Sequence, residues 1–86
     1  MISRKYEGLA NVVGKKIENL RKSKNWSRAT LSDKLMLLGI DINYDSIYKI
    51  EKGNRIVKDF ELAAMAKVLG VSESSLLENF RNSLNK

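Results

Sequence analysis

The chain has neither histidine nor cysteine among its 86 residues. The commonest general base, the commonest metal ligand and all thiolate chemistry are therefore missing. What is left to do chemistry is charge. Sixteen lysines and arginines stand against ten aspartates and glutamates, a net +6. That excess is local: residues 1–14 sum to +1, residues 15–58 carry eleven basic and five acidic side chains for +6, and residues 59–86 sum to −1. A basic excess confined to one stretch suits a polyanion partner, most often nucleic acid. On charge alone, a solvated face reads the same way. A lone carboxylate such as Glu51, with no second acid, histidine or metal cluster, has nothing to do acid–base work with. No enzyme, cofactor or metal site is expected.

Those charges need a scaffold, and the apolar spacing predicts an all-α one. Val13, Ile17 and Leu20 form one helical stripe, and Leu31, Leu35 and Leu38 a second. Ile47 and Ile50 form a short third. Phe60 or Leu62, then Met65 or Ala66, then Leu69 give a fourth, and Leu76, Leu77, Phe80 and Leu84 a fifth. Five stripes with short connectors imply one all-α domain spanning 1–86, with a core of about 12–80, a loose arm over 1–7 and a loose last few residues. Ser27, Asn43, Asp59 and Ser72 are the expected N-caps. Gly53 and Gly70 are the expected helix stops. Trp26 and Leu31 are spaced as a hydrophobic staple. No uncharged stretch approaches the ~20 residues of a membrane span, and nothing at the start reads as a signal peptide. A cytoplasmic protein with no membrane partner is expected.

The third element, residues 44–52, has one apolar edge at Ile47 and Ile50. Its other faces show Tyr44, Asp45, Tyr48, Lys49 and Lys52. The DNA major groove is about 12 Å wide and admits one α-helix, so a short helix held by one edge can offer its polar side chains to base edges.

The string Ile47-Tyr48-Lys49-Ile50-Glu51-Lys52-Gly53-Asn54-Arg55 resembles the I-x-x-I-E-x-G-x-R signature of lambda-repressor-like (Cro/repressor, XRE-type) helix-turn-helix proteins. The stretch from Val13 to Arg21 resembles that family's first helix, Asn25 to Arg28 the start of its second, and Leu62 to Ser72 its fourth helix and the start of its fifth. The resemblance covers about Val12 to Phe80. It implies a five-helix lambda-repressor-like DNA-binding domain with the helix over 44–52 in the major groove. Carried over residue by residue, it implies base-facing roles for Tyr44, Asp45 and Lys49. Lysine can donate to guanine O6 and N7, aspartate can accept from cytosine N4, and tyrosine can pack on a thymine methyl or bond a phosphate. Arg28 stands where the family has a phosphate-facing residue at a helix start. Asn43, Asn54, Arg55 and Lys58 border the same helix and are the other phosphate candidates. Arg21 and Glu51 match a structural ion pair between the first and third helices.

One stretch departs from the family. Gly39 lies twelve residues after Ser27, against nine in the compact form, and Gly39 to Ile47 is two residues longer than usual. A lengthened second helix and turn are expected, with Ile40 and Ile42 packing the turn down. Three extra helical residues would add ~4.5 Å.

Taken together, the resemblance implies a sequence-specific double-stranded-DNA-binding transcriptional regulator. A repressor of bacterial or phage type is expected, binding an inverted repeat as a homodimer through Leu77 and Leu84. The alternative is an antitoxin or adaptor on the same fold, for which a regulatory protein partner is expected.

Overall fold

The structure is a computed structural model that describes residues 6–85. Residues 1–5, most of the expected loose arm, and Lys86, in the expected loose tail, lie outside the described residues. The fold is all-α, as the apolar spacing predicts. It comprises α1 (Gly14–Ser23), α2 (Arg28–Met36), α3 (Tyr44–Glu51), α4 (Asp59–Leu69), α5 (Glu73–Leu76) and α6 (Glu78–Ser83). No strand occurs among the described residues, only an isolated antiparallel bridge between Tyr6 and Leu9.

One core serves α1 to α5. Ile17 of α1, Leu31 and Leu35 of α2, Ile47 and Ile50 of α3, and Met65 and Leu69 of α4 are sealed from solvent. Each is worth about 1.5–3 kcal/mol relative to exposure. Helices α1 and α2 both pack on α3 and α4, and α4 on α5. The third helix thus has its apolar edge in this core.

The helix starts follow local chemistry. Ser27 accepts from Thr30 N, Asn43 from Ser46 N and Ser72 from Ser75 N. The fourth start differs from expectation. Lys58 is the capping position and Asp59 the first helical residue, because the Glu61 carboxylate accepts from Lys58 N at 3.0 Å. A glutamate three residues into a helix does this when it is itself held in place, and Arg55 holds it.

The second helix is not lengthened. It spans nine residues and stops at Met36, so the added length falls in the connection over 37–43. Leu38 N bonds Leu35 O at 2.9 Å and Gly39 N bonds Met36 O at 2.9 Å, tightening the chain into successive turns. Gly39 takes φ +79°, and Ile40 N returns to Leu35 O at 3.1 Å. Leu38 therefore leaves the apolar stripe and is 43 % exposed. Ile42 is buried instead, and Ser32 Oγ donates to its carbonyl at 2.6 Å. That bond fastens the long turn to α2.

The fifth stripe also divides. Leu77, at φ −97° and ψ 1°, separates α5 from α6. Leu76 is buried and Leu77 is half-buried against the core, while Leu84 is 66 % exposed. At the other end, Tyr6 meets the Phe80 ring edge-on at 5.0 Å, and its backbone exchanges two hydrogen bonds with Leu9. The described end of the N-terminal arm is tied to α6.

Candidate nucleic-acid interface

Helix α3 is fixed from three directions. Asn43 caps its start, with Asp45 in the first turn where the helix dipole favours an acid. Its apolar edge lies in the core. Its far end meets the strap of residues 9–14. There Ala10 N donates to Gly53 O at 2.7 Å, and Asn11 Nδ2 donates to Ile50 O at 3.1 Å and Arg55 O at 2.8 Å. Asn11 Oδ1 in turn accepts from Val13 N and Gly14 N at 3.0 and 2.7 Å, serving the first amides of α1. One side chain thus joins the start of α1 to the end of α3. Gly14 completes the joint, since a Cβ there would run into the Ile50 carbonyl.

A charged network lies along the same side. Glu51 is 4 % exposed and receives two arginines. Arg21 Nε and Nη2 donate to its two oxygens at 2.7 and 3.2 Å, and Arg28 Nε donates at 2.8 Å. Arg21 Nη1 also donates to Trp26 O at 2.7 Å, fastening the α1–α2 connection. The Arg28 guanidinium lies 4.9 Å from the centroid of the Tyr48 ring, with Lys52 Nζ 5.5 Å from the same ring. Glu18, also buried, pairs with Lys22 at 3.2 Å and Lys15 at 3.5 Å, with Arg28 at 3.8 Å. Among the described residues no buried side-chain nitrogen or oxygen lacks a partner.

Two carboxylates in these networks titrate below the ordinary value of about 4.5. Burial pushes Glu18 up, but the Lys22 hydrogen bond and the charges of Lys22, Lys15 and Lys52 outweigh it. Burial likewise opposes Glu61, and the bonds from Arg55 and the Lys58 amide prevail. A carboxyl whose folded pKa lies below its unfolded value stabilises the fold fully above the unfolded value. That contribution is lost as pH falls through the folded one. Urea midpoints are expected to stay level from pH 7 to about 5 and to drop below that. The gap between the parent and Glu61→Gln should close across the same acid range; a gap independent of pH would contradict the assignment.

The structure brings the expected base-facing residues together. Tyr44 is 59 % exposed, and Asp45 and Lys49 are exposed beside it on α3. The expected phosphate residues fall into two groups. Asn43, Asn54 and Lys58 are exposed around α3. Arg55 is not free, because Nη1 and Nη2 pair with the two oxygens of Glu61 at 3.0 and 3.1 Å. Arg28 keeps part of its surface exposed, but its Nε is committed to Glu51. Arg21 and Glu51 meet as described. Leu77 and Leu84 do not share one helical line, and Leu84 alone is well exposed.

Four residues with a part in this site escaped the sequence reading. Asn11, Glu18 and Glu61 have no site role in that reading, and Tyr48 is there only an exposed side chain. Asn11 had a local signal, an Asx residue just before an apolar helix. Glu18 also had a local signal, its spacing to Lys22 on one helix, and Glu61 another, its place three residues after Lys58; Tyr48 depends on Arg28 from another helix.

These pairings also redistribute the basic excess. Lys15, Arg21, Lys22, Arg28 and Arg55 are matched by carboxylates. The exposed lysines without an ion pair among the described residues include Lys49, Lys52 and Lys58 around α3, and Lys24 beside Trp26. Among the described residues no cluster of acidic side chains could hold a metal ion, and no helix is long and apolar enough to cross a membrane.

The Helix-turn-helix family model matches residues 17–76, from the second turn of α1 to the end of α5. No curated protein and no solved structure matches the chain. The match spans well over half the sequence and contains α2, the turn and α3. The chain belongs to the helix-turn-helix family of lambda-repressor-like, XRE type, a family of DNA-binding regulators.

Proposed function

We propose that this helix-turn-helix protein is a sequence-specific transcriptional repressor that places α3 in the major groove of an inverted repeat. The observation that carries the reading is the way α3 is held. Its buried edge, capped start and strapped end leave Tyr44, Asp45 and Lys49 exposed on a fixed helix flanked by lysines that have no ion-pair partner among the described residues. Pre-organised side chains on a fixed element are what direct base readout needs. Lys49 donates to guanine, Asp45 accepts from cytosine, and Tyr44 packs on a thymine methyl or bonds a phosphate. Asn43, Asn54 and Lys58 hold the sugar–phosphate strand. Arg28 and Arg55 act mainly by holding the scaffold. The protein works in the cytoplasm of a bacterial host, on a chromosomal or phage operator.

Selection of bound duplexes from a random pool tests this directly and yields the half-site. If each of two protomers sets about three lysines on phosphates, log K should fall against log salt with a slope of roughly −5. Lys49→Ala should cost about 1–3 kcal/mol and relax preference at one base position. A flat salt response, or a selected motif unchanged by Lys49→Ala, would sink the reading.

The inverted repeat requires two protomers about one DNA turn apart, ~34 Å. Leu84 is the exposed apolar residue at the end of α6 and the anchor of this dimer; Leu77 contributes only its uncovered part. Leu84→Asp should therefore turn a concentration-dependent dimer into a monomer by sedimentation equilibrium. A parent chain that is monomeric at every concentration defeats the dimer, as does a dimer that survives the substitution.

A further inference from the structure

A second surface carries positive charge without an ion-pair partner among the described residues, and it contains no residue of α3. Trp26, Leu37, Leu38 and Val68 line an open groove of about 510 Å3 together with Lys24, Lys34 and Lys67. No carboxylate among the described residues lines it. The lysines have no ion-pair partner among the described residues, and two of them face the tryptophan ring, Lys24 Nζ at 5.3 Å and Lys34 Nζ at 4.7 Å from its centroid.

The apolar part is unusual for a surface. Met36, Leu37 and Leu38 are consecutive and exposed by 51, 86 and 43 %. A run of exposed apolar residues costs solubility unless something covers it. It exists because α2 stops at Met36. The long turn lifts Leu37 and Leu38 out of the apolar stripe and sets them beside Trp26 and Val68.

We propose that this groove docks an acidic segment of another protein, one that inserts a bulky apolar side chain between Trp26 and Leu37 while its carboxylates meet the three lysines. Charge complementarity selects the occupant. A lining of three lysines among apolar side chains fits a chain that is acidic and apolar together. A phosphate backbone would satisfy the lysines and leave the apolar side chains uncovered. A second copy of this chain carries +6 itself, so it approaches the three lysines against repulsion. The proposal is independent of DNA binding.

Trp26 is the sole tryptophan and reports on its own groove. A displayed library of random dodecapeptides, selected on the intact protein, supplies the probes. Enriched peptides without tryptophan are then synthesised and titrated against Trp26 fluorescence. The expected winners are acidic with at least one large apolar residue. The acidic variant Leu37→Glu/Lys67→Glu should bind them about tenfold or more weakly, and Lys49→Ala should bind them like the parent. Both altered side chains are exposed, and an unchanged far-UV spectrum confirms that the variant is folded. The proposal is overturned by no enrichment, by neutral or basic winners, or by a variant that binds within twofold of the parent. It is equally overturned if duplex DNA displaces the peptides, which would make the groove a nucleic-acid surface. Loss of a parent dimer in Leu37→Glu/Lys67→Glu would make it a self-contact and overturn it too.

Discussion

Glu51→Ala is expected to remove about 3–5 kcal/mol of stability, because it leaves the buried Arg21 guanidinium without a counter-charge. A domain of 86 residues is stable by only about 4–13 kcal/mol in total, so the substitution should remove roughly a quarter or more of it. The effect is large because the network is shared. The side chain of Arg21 is 7 % exposed and that of Glu51 fully buried, so water cannot replace the lost partner. Arg28, with its side chain 30 % exposed, can turn outward and contributes less. The distinction can be measured. Arg28→Ala should cost about 1–2 kcal/mol in urea unfolding, well below Glu51→Ala, since one charged hydrogen bond is lost and Glu51 keeps Arg21. Arg21→Met/Glu51→Met should recover most of the stability, because an apolar pair of similar volume avoids the cost of burying two charges. A loss below about 1 kcal/mol in Glu51→Ala would show that the carboxylate does not organise these helices.

The same network marks how far the sequence could be read. Ser27, Asn43 and Ser72 were legible as caps because each bonds an amide three residues on, a relation that is local by construction. The exposed face of α3 was legible because Ile47 and Ile50 fix the helix's rotation and leave Tyr44, Asp45 and Lys49 on its other faces. The arginines were a different case. A carboxylate and a phosphate both offer a guanidinium two oxygens in nearly the same fork, so the residue type does not say which one it meets. Arg55 meets Glu61 across the turn before α4, and only the path of the chain decides that.

The misplaced end of α2 has a similar cause. A glycine at positive φ closes a helix or a following turn equally well. Gly39 closes a turn, and Met36 had already ended the helix. The consequence reaches function, because Leu38, expected in the core, lines an exposed groove instead. The split at Leu77 was hidden for another reason. Leu76, Leu77, Phe80 and Leu84 keep helical spacing, yet Leu77 takes φ −97° and ψ 1° and its amide is shared between Glu73 O and Ser74 O. Periodicity records which residues are apolar and is blind to a change of axis between two short helices.

Gly14→Ala should be the second most damaging substitution, although it adds a single methyl group on a helix where alanine is normally preferred. By propensity alone, alanine would stabilise α1 by roughly 1 kcal/mol. Position outweighs propensity here. The new Cβ would occupy the space of the Ile50 carbonyl oxygen, with the Ile50 carbon at 3.0 Å and the Glu51 oxygen at 3.1 Å. All three atoms are backbone, so no rotamer change relieves the contact. Helix α1 must move away from the end of α3, and that movement stretches the Asn11 bonds to Ile50 O and Arg55 O. Overpacking of this kind costs about 1–3 kcal/mol, and the strained Asn11 bonds place the expected loss at about 3 kcal/mol. Gly39→Ala is the control. Its Cβ meets nothing within 4 Å but its φ is +79°, so it should lose about 1–2 kcal/mol from backbone strain alone. DNA affinity separates the two further. Gly14→Ala displaces the joint that fixes the end of α3 and should weaken specific binding more than nonspecific binding. Gly39→Ala should leave their ratio unchanged in salt-matched titrations. Equal stability losses, with no change in specificity for Gly14→Ala, would mean that the strap of residues 9–14 does not set the pose of α3.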